Sequence, residues 1–590
     1  MKKMYRINGG LKKSLLLFVV LLLVVNCSSI AILPLSSSPQ ATTNPPDTST
    51  PPPSPQEPTI TPVPPTPTAI IPSKPTSMEW QDQIVYILLP HKFYDGDPTN
   101  NYMRDEYDLP NPNYEGGFLG GDIAGIRQKI PYLKSLGITA VLINPMFCND
   151  EKPFFQFLAT GYSVRDYQCI DRNFGTVEEF VQLIEELHST TNGPRINVIL
   201  DLPISTTSRD HPWTKDSSYY RAWNYENPKD NIGCSENSCE PYIMPDGKAV
   251  DHTFAMPILA HTAGMETGTG AYAAIRDTIF WLVDQYDIDG FRYDSAQNFY
   301  PAFWVKFLSE FRDRYDETKP DFWHVGEIFI WPGTEKSWQI SPEEYVNQTS
   351  SVGPIRMDSI YDFPSASFIK DVFAKGMDPN CIPSLCANLL QHLVDPWGVE
   401  HPERLMAPLD GYELGTFFDA VQNGNAKEKI FLAFAFVMTI NRAPLISSGI
   451  EYGIHYKELG VIFAGGFDDT YLENFKKLTQ IRQDHPAFRW GSLTDLGTPS
   501  NIISYARQYE GETYIVVLNN TAVSQPITIN LEAKGISCNS VRNLLLENDQ
   551  NIQLNNDSLS VTLNAWEAKI IQCEYVNIAG DLIGTPWNVS

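Results

Sequence analysis

Short apolar runs and longer amphipathic segments take turns along the chain from Ile84 onward. The runs Ile84–Pro90, Thr139–Pro145, Asn197–Pro203, Gly290–Ala296, His324–Phe329, Ser359–Phe363, Gly415–Ala420 and Pro444–Ser448 have the length and composition of buried strands. Between them, Asp122–Gly137, Val177–His188, Pro301–Tyr315 and Ala426–Ile440 repeat apolar residues at helical spacing. Eight strands alternating with helices predict an α/β fold, a closed (β/α)8 TIM barrel. Residues 204–270, rich in Gly, Pro and Asn, break the alternation and read as a small domain inserted after the third strand. Beyond Trp490 only strands and turns follow: Ile502–Gln508, Tyr514–Asn519, Ile527–Leu531, Val541–Leu546, Leu559–Leu563 and Ala568–Cys573. They predict a C-terminal all-β sandwich over 490–575. The barrel is therefore expected in two parts, 78–203 and 271–489, with a tail at 576–590.

The first 77 residues follow neither period. Lys2, Lys3, Arg6, Lys12 and Lys13 precede the apolar run Leu15–Val25, so 1–33 reads as an export signal. Val24-Val25-Asn26-Cys27 resembles a bacterial lipoprotein cleavage box, which makes Cys27 the lipid attachment point. The alternative is an uncleaved signal anchor lengthened by Ile30–Leu33. Residues 34–77 hold 15 of the 45 prolines and form a Pro/Thr/Ser-rich linker. At about 3.1 Å per residue it reaches on the order of 100 Å. An exported protein tethered to the membrane at the cell surface is expected.

Cysteine and charge agree with that compartment. Setting Cys27 aside leaves eight of the nine cysteines, whose spacing pairs them as Cys148–Cys169, Cys234–Cys239, Cys381–Cys386 and Cys538–Cys573. The net charge of −27 would repel a phosphate backbone and excludes a nucleic-acid partner.

Barrel enzymes carry reactive groups at the C-terminal ends of their strands. Alternation puts Arg292 and Asp294 on one face of the fourth strand, where a guanidinium is expected to keep the carboxylate ionised. Glu327 ends the next strand. Strands about 4.8 Å apart bring two such carboxylates near the ~5–5.5 Å separation of a retaining glycosidase. No Gly-x-Ser-x-Gly, phosphate-cradling Gly-Lys loop or His-Glu-x-x-His offers a competing chemistry.

Phe118-Leu-Gly-Gly-Asp-Ile-Ala-Gly-Ile126, Gly161-Tyr162, Asp166-Tyr167, Asp171-Arg-Asn-Phe-Gly-Thr176, Asp210-His-Pro-Trp213 and Gly290–Asp294 resemble, in order, the motifs of the α-amylase family, glycoside hydrolase family 13. The similarity runs from about Ile84 to Phe488. It implies action on an α-glucan or maltooligosaccharide, with Asp294 as nucleophile, Glu327 as acid/base and Arg292 as their partner. Tyr162 becomes the aromatic platform under the sugar, supported by Asp201. Several family positions are changed: Ser205-Thr206 replaces Asn-His, Gln297-Asn298 replaces Lys-His, Ala420-Val421-Gln422 replaces Asn-His-Asp, and Ala260 and Ile450 replace polar residues. These departures predict an impaired or shifted activity. They leave open a non-catalytic glucan-binding pseudoenzyme and a structural or partner-docking ectodomain.

Asp95, Asp97, Asn100, Asn101, Gly120 and Asp122 gather the hard oxygen donors that calcium prefers, without EF-hand spacing. They resemble the calcium loop near the first strand in some family members, so a structural calcium ion is expected. The family's second calcium site, between barrel and insertion, is expected to be weak or absent because Ser205 and Asn298 replace its ligands.

Overall fold

Side chains that alternate between two apolar environments are what close eight short strands into a barrel. The computed structural model describes residues 79–102, 118–149, 160–233, 240–253, 256–330, 335–347, 349–375, 399–409, 417–422, 424–454, 462–463, 469–497, 502–576 and 582–583. All of them fall in the unit Pro75–Ser590. The barrel strands are β1 (Val85–Leu88), β2 (Ala140–Ile143), β3 (Asn197–Leu202), β4 (Gly290–Tyr293), β5 (Trp323–Gly326), β6 (Ser359–Tyr361), β7 (Leu405–Pro408) and β8 (Ala443–Ser447). They pair in parallel in the order β1-β8-β7-β6-β5-β4-β3-β2, and β2 closes on β1 with Val85 opposite Ala140. Val85, Ile87, Leu142, Ile199, Val325, Met406 and Leu445 fill the interior. Their neighbours Tyr86, Val141, Leu200, Phe291 and Tyr293 pack outward against the helices. Both faces are thus buried, as parallel strands require.

The helical layer includes α1 (Ile123–Gln128), α2 (Ile130–Ser135), α3 (Val177–His188), α4 (Gly270–Gln285), α5 (Pro301–Tyr315), α6 (Ala426–Thr439) and α7 (Asp469–Asp484). α3 opens with a capping box between Thr176 and Glu179. The single helix expected over Asp122–Gly137 is two, because Pro131 has no N–H to return to the preceding turn.

The seventh strand is not where the apolar pattern put it. β7 is Leu405–Pro408, and Phe417–Ala420 forms a helical turn instead. The pair Phe417-Phe418 reads as strand by composition, yet Phe417 is buried in the outer hydrophobic layer. Pro408 takes the last position of β7, and Leu409 N–H carries the pairing on to Leu445 O at 3.1 Å.

Within 204–270 the chain makes the short ladders Tyr242–Ile243 with Ala249–Val250 and His252–Thr253 with Met256–Pro257, joined by 3-10 turns. The C-terminal strands are β9 (Ser492–Asp495), β10 (Ile502–Tyr509), β11 (Glu512–Asn519), β12 (Gln525–Asn530), β13 (Ser540–Asn543), β14 (Ile552–Asn555), β15 (Ser558–Leu563) and β16 (Ala568–Val576). They form two sheets, β9-β10-β11-β16-β13 and β12-β15-β14. Two fully buried arginines tie this region together, Arg507 from the sandwich and Arg482 within the barrel. Arg507 of β10 donates to the carbonyls of Thr439, Phe488 and Gly491, and Arg482 of α7 to those of Met438, Ile440 and Arg442.

Disulfides join Cys148 to Cys169 and Cys538 to Cys573, with Cα atoms 5.6 and 5.2 Å apart. Cys234–Cys239, Cys381–Cys386, Cys27, the export signal and the linker lie outside the described residues. Among the described residues no helix is long and apolar enough to cross a membrane.

Candidate active site

β4 lies between β3 and β5, with Arg292 opposite Asp201 on one side and Val325 on the other. Phe291 and Tyr293 are spent on the helix layer, so Arg292 and the residue after the strand, Asp294, face the barrel mouth. Arg292 is buried, and its Nη1 donates to Asp201 Oδ1 at 2.8 Å and to Asp294 Oδ1 at 2.7 Å. Its Nη2 lies 2.7 Å from Glu327 Oε1, and the Tyr361 ring sits 5.4 Å from the guanidinium. One planar cation therefore spans three carboxylates with two of its nitrogens held in a fixed fork, where a lysine would offer a single point charge.

The charge balance at this centre is negative. Burial pushes Asp294 up to about 6; Arg292 pulls it down, and Glu327 adds to the rise. Asp201 is likewise pushed up to about 6 by burial, opposed by Arg292 and reinforced by Asp294. The guanidinium favours the ionised carboxylate as expected, but desolvation outweighs it. Asp294 is still mostly ionised at neutral pH.

Two details of the backbone aim these groups. Ser295 takes the left-handed conformation at φ 49°, uncommon for a residue with a side chain, and its N–H donates to Glu327 Oε2 at 2.8 Å. Gly161 has φ +90°, and a Cβ there would lie 2.0 Å from Pro145 O, so only glycine presents Tyr162 this way. The half-buried Tyr162 donates its hydroxyl to Asp201 Oδ2 at 2.7 Å, and Asn144 Nδ2 donates to the same hydroxyl at 3.3 Å.

The structure thus gathers Asp294, Glu327, Arg292, Asp201 and Tyr162. Sequence reasoning missed Asn144, Ser295 and Tyr361. A polar residue closing the apolar run of β2 was a signal for Asn144; Ser295 acts through its backbone and left none.

Gln422 is not brought to this cluster. Its N–H donates to Ala374 O at 3.1 Å and its carbonyl accepts from Lys429 Nζ, both belonging to the helical layer. The comparison of Ala420-Val421-Gln422 with a motif at the end of the seventh strand therefore fails with the misplaced strand. In sequence, β7 is followed by Leu409, Asp410, Gly411, Tyr412 and Glu413, which brings two acids after that strand.

The oxygen-rich loop divides its six residues between tasks. Asp122 caps α1 and accepts from the N–H groups of Gly96, Asp97 and Gly125 and from Asn100 Nδ2. Those four donors fill the acceptor sites of a carboxylate. Asp97 accepts from Thr99 N and Oγ1. Asn101 Nδ2 donates to Asp95 Oδ2 at 2.9 Å, while Oδ1 of Asn100 and of Asn101 is buried with no hydrogen-bond partner. A Cβ on Gly120, at φ +85°, would stand 2.5 Å from Asp95 Oδ2 and 2.9 Å from the Asn101 amide. Neutral amide oxygens with nothing to accept from suit a hard cation. Among the described residues no group of three or more His, Cys, Asp or Glu is arranged to hold a metal, so any ion here relies on these amides.

A family model described as "Alpha amylase, catalytic domain" matches residues 87–247, which run from the end of β1 past β3 and include Tyr162 and Asp201. Over these residues the chain is similar to the α-amylase family. A second model, "Maltogenic Amylase, C-terminal domain", matches 496–570. Among relatives, a beta/alpha-amylase of Paenibacillus polymyxa is 25% identical over 84% of this chain and 38% of its own length. A cyclomaltodextrinase of Thermoanaerobacter pseudethanolicus is 25% identical over 77% of this chain and 72% of its own. The chain thus spans well under half of the first relative. An Anoxybacillus α-amylase structure shares the fold with a TM-score of 0.66 at 23% identity, covering 84% of this chain and 99% of that one. The Geobacillus thermoleovorans α-amylase solved with acarbose has a TM-score of 0.65 at 21% identity, covering 84% and 99%.

Proposed function

We propose that this protein is a glycoside hydrolase of the α-amylase kind that cleaves α-linked glucans with retention, using Asp294 and Glu327. The observation that carries the reading is the single guanidinium of Arg292 bonded to both carboxylates and to Asp201. Glu327 donates its proton to the leaving glycosidic oxygen while Asp294 attacks the anomeric carbon. The glycosyl ester on Asp294 is then cut by a water whose proton returns to Glu327. Asp201 orients Tyr162 and Arg292, and the net negative centre stabilises the positive charge that develops on the ring.

Asp294→Asn and Glu327→Gln, assayed by reducing-sugar release from a panel of α-glucans, test this reading. Both are expected to remove at least 10²-fold of the rate while thermal unfolding stays within a few degrees. Activity that survives Asp294→Asn would refute it. Thr206, which stands where the family places a sugar-binding histidine, favours a shifted substrate preference. A parent that binds glucan without turnover would be the pseudoenzyme instead.

A calcium ion is part of the same proposal. Asp95, Asn100 and Asn101 would hold it beside Gly120, with Asp122 and Asp97 shaping the loop; its contribution is to stability. Export, with a tether through Cys27 or an uncleaved anchor, completes the reading.

A further inference from the structure

Glu327 stands on the first residue of a segment without regular structure. β5 ends at Gly326, and from Glu327 to Ser341 no described residue belongs to a helix or strand. Catalytic groups need placing to within about 0.5 Å, so the anchors of this segment matter. Gln297, three residues beyond Asp294, supplies two: its Oε1 accepts from Phe329 N at 3.4 Å and its carbonyl from Gln339 Nε2 at 2.9 Å.

The firmest anchors lie on the inserted domain. Lys336 Nζ donates to the carbonyls of Lys229 and Asn231 at 2.8 and 3.0 Å, and Ser337 Oγ donates to Asp230 Oδ2 at 3.0 Å. Trp338 Nε1 donates to Asp230 O at 3.2 Å. The buried Arg221 guanidinium lies 4.3 Å from the Trp338 ring and 4.8 Å from the Tyr300 ring. Arg221 is paired with Asp251 at 3.6 Å. Asp251 is fully buried and also accepts the N–H groups of Ile232, Gly233 and His252. The insertion therefore presents a socket whose backbone turn and cation are held by bonds that do not involve the indole.

We propose that Trp338 is a positioning residue for Glu327: seated in the Arg221–Asp230 socket, it fixes the neighbouring Gln339, which holds Gln297, and Gln297 in turn steadies Phe329 and the Ser295 turn that aims the Glu327 carboxyl. This inference rests on the retaining reading above. A misaimed proton donor has a chemical signature that general damage lacks. It slows cleavage when the leaving oxygen is a sugar, which needs the proton, and spares cleavage when the leaving group is a stable phenolate.

The test compares kcat/KM for maltooligosaccharides with kcat/KM for 2-chloro-4-nitrophenyl α-maltotrioside, a ratio confined to the first chemical step. Trp338→Ala is expected to lose about 10–100-fold on the oligosaccharide, in kcat with KM nearly unchanged, and under about 3-fold on the aryl substrate. Trp338→Phe, which keeps the stacking on Arg221, is expected to recover most of the loss. Should Trp338→Ala fail to fold, Trp338→Phe and Lys336→Met carry the same comparison with smaller losses of the same sense. Equal losses on both substrates, or no loss on either, would overturn the inference and leave the functional reading standing. No turnover by the parent on either substrate would overturn both.

Discussion

Arg292→Met puts the electrostatics of the site to a quantitative test. The guanidinium is buried and bonded at 2.7–2.8 Å to Asp201, Asp294 and Glu327. With charge centres about 4 Å apart and an effective dielectric constant of about 20, each pair is worth about 4 kcal/mol. Since about 1.4 kcal/mol corresponds to one pKa unit, losing the cation raises Asp294 by up to about three units. Water entering the space left by the guanidinium returns part of this, so a rise of about one to three units is expected. Asp294 begins at about 6, pushed up by burial. The nucleophile must be ionised, so the acidic limb of kcat/KM against pH lies near 6 in the parent and moves upward in the variant. At pH 7 the variant is expected to be about 2–100-fold slower, with part of the loss recovered as the pH rises. Initial rates on a maltooligosaccharide between pH 4.5 and 9, with folding checked by circular dichroism at each pH, make the measurement. A limb that stays near 6 in a folded, active variant would refute the claim that Arg292 sets the charge of Asp294.

Four further outcomes follow from other parts of the structure. Because folding raises Asp294 above its unfolded value, its ionisation opposes folding; the parent is expected to lose about 1–3 kcal/mol as pH rises from 4 to 7 that Asp294→Asn retains, and equal urea midpoints would contradict this. Chelation is expected to lower the melting temperature of the parent, and Asn100→Ala with Asn101→Ala to abolish the response to added calcium; an unchanged parent melt removes the ion. Gln422→Asp is expected to leave activity unchanged because Gln422 serves the helical layer, whereas Glu413→Gln and Asp410→Asn, in the sequence after β7, should identify a third carboxylate by a loss of about 10²-fold or more in one of them. Replacing Cys538 and Cys573 by serine is expected to cost about 2–4 kcal/mol in denaturant unfolding.

Seven barrel strands were legible because each is a short apolar run bounded by turn signals, most of them followed by an amphipathic helix. The seventh was not. Leu405-Met-Ala-Pro408 is four residues long and ends in proline, a weak signal beside Thr416-Phe-Phe418, and only closure of the hydrogen-bond circuit between β6 and β8 distinguishes them. That one displacement carried the reading of the active site with it, since motif comparison depends on knowing where a strand ends. Arg292 and Asp294 were legible from alternation within one strand. The bond from Arg292 to Asp201 is not local: 91 residues separate them in sequence, and strand register brings them opposite. Ser295 shows a second limit, because its contribution is a backbone N–H turned by an unusual φ.

Because Arg507 takes the carbonyl of Thr439 and Arg482 those of Met438 and Ile440, the final turn of α6 is finished by groups that arrive later in the chain. Cutting at Trp490 would leave Thr439 O without that donor inside an apolar seam, where an unmet polar group costs about 1–3 kcal/mol. The sandwich is in this sense a keystone. The barrel completes its own architecture only after the last hundred residues have been made, so a ribosome-bound chain ending near Trp490 would hold a recognisable barrel still short of its full stability. A lineage that exchanged this sandwich for another module would have to bring an arginine to the same carbonyls.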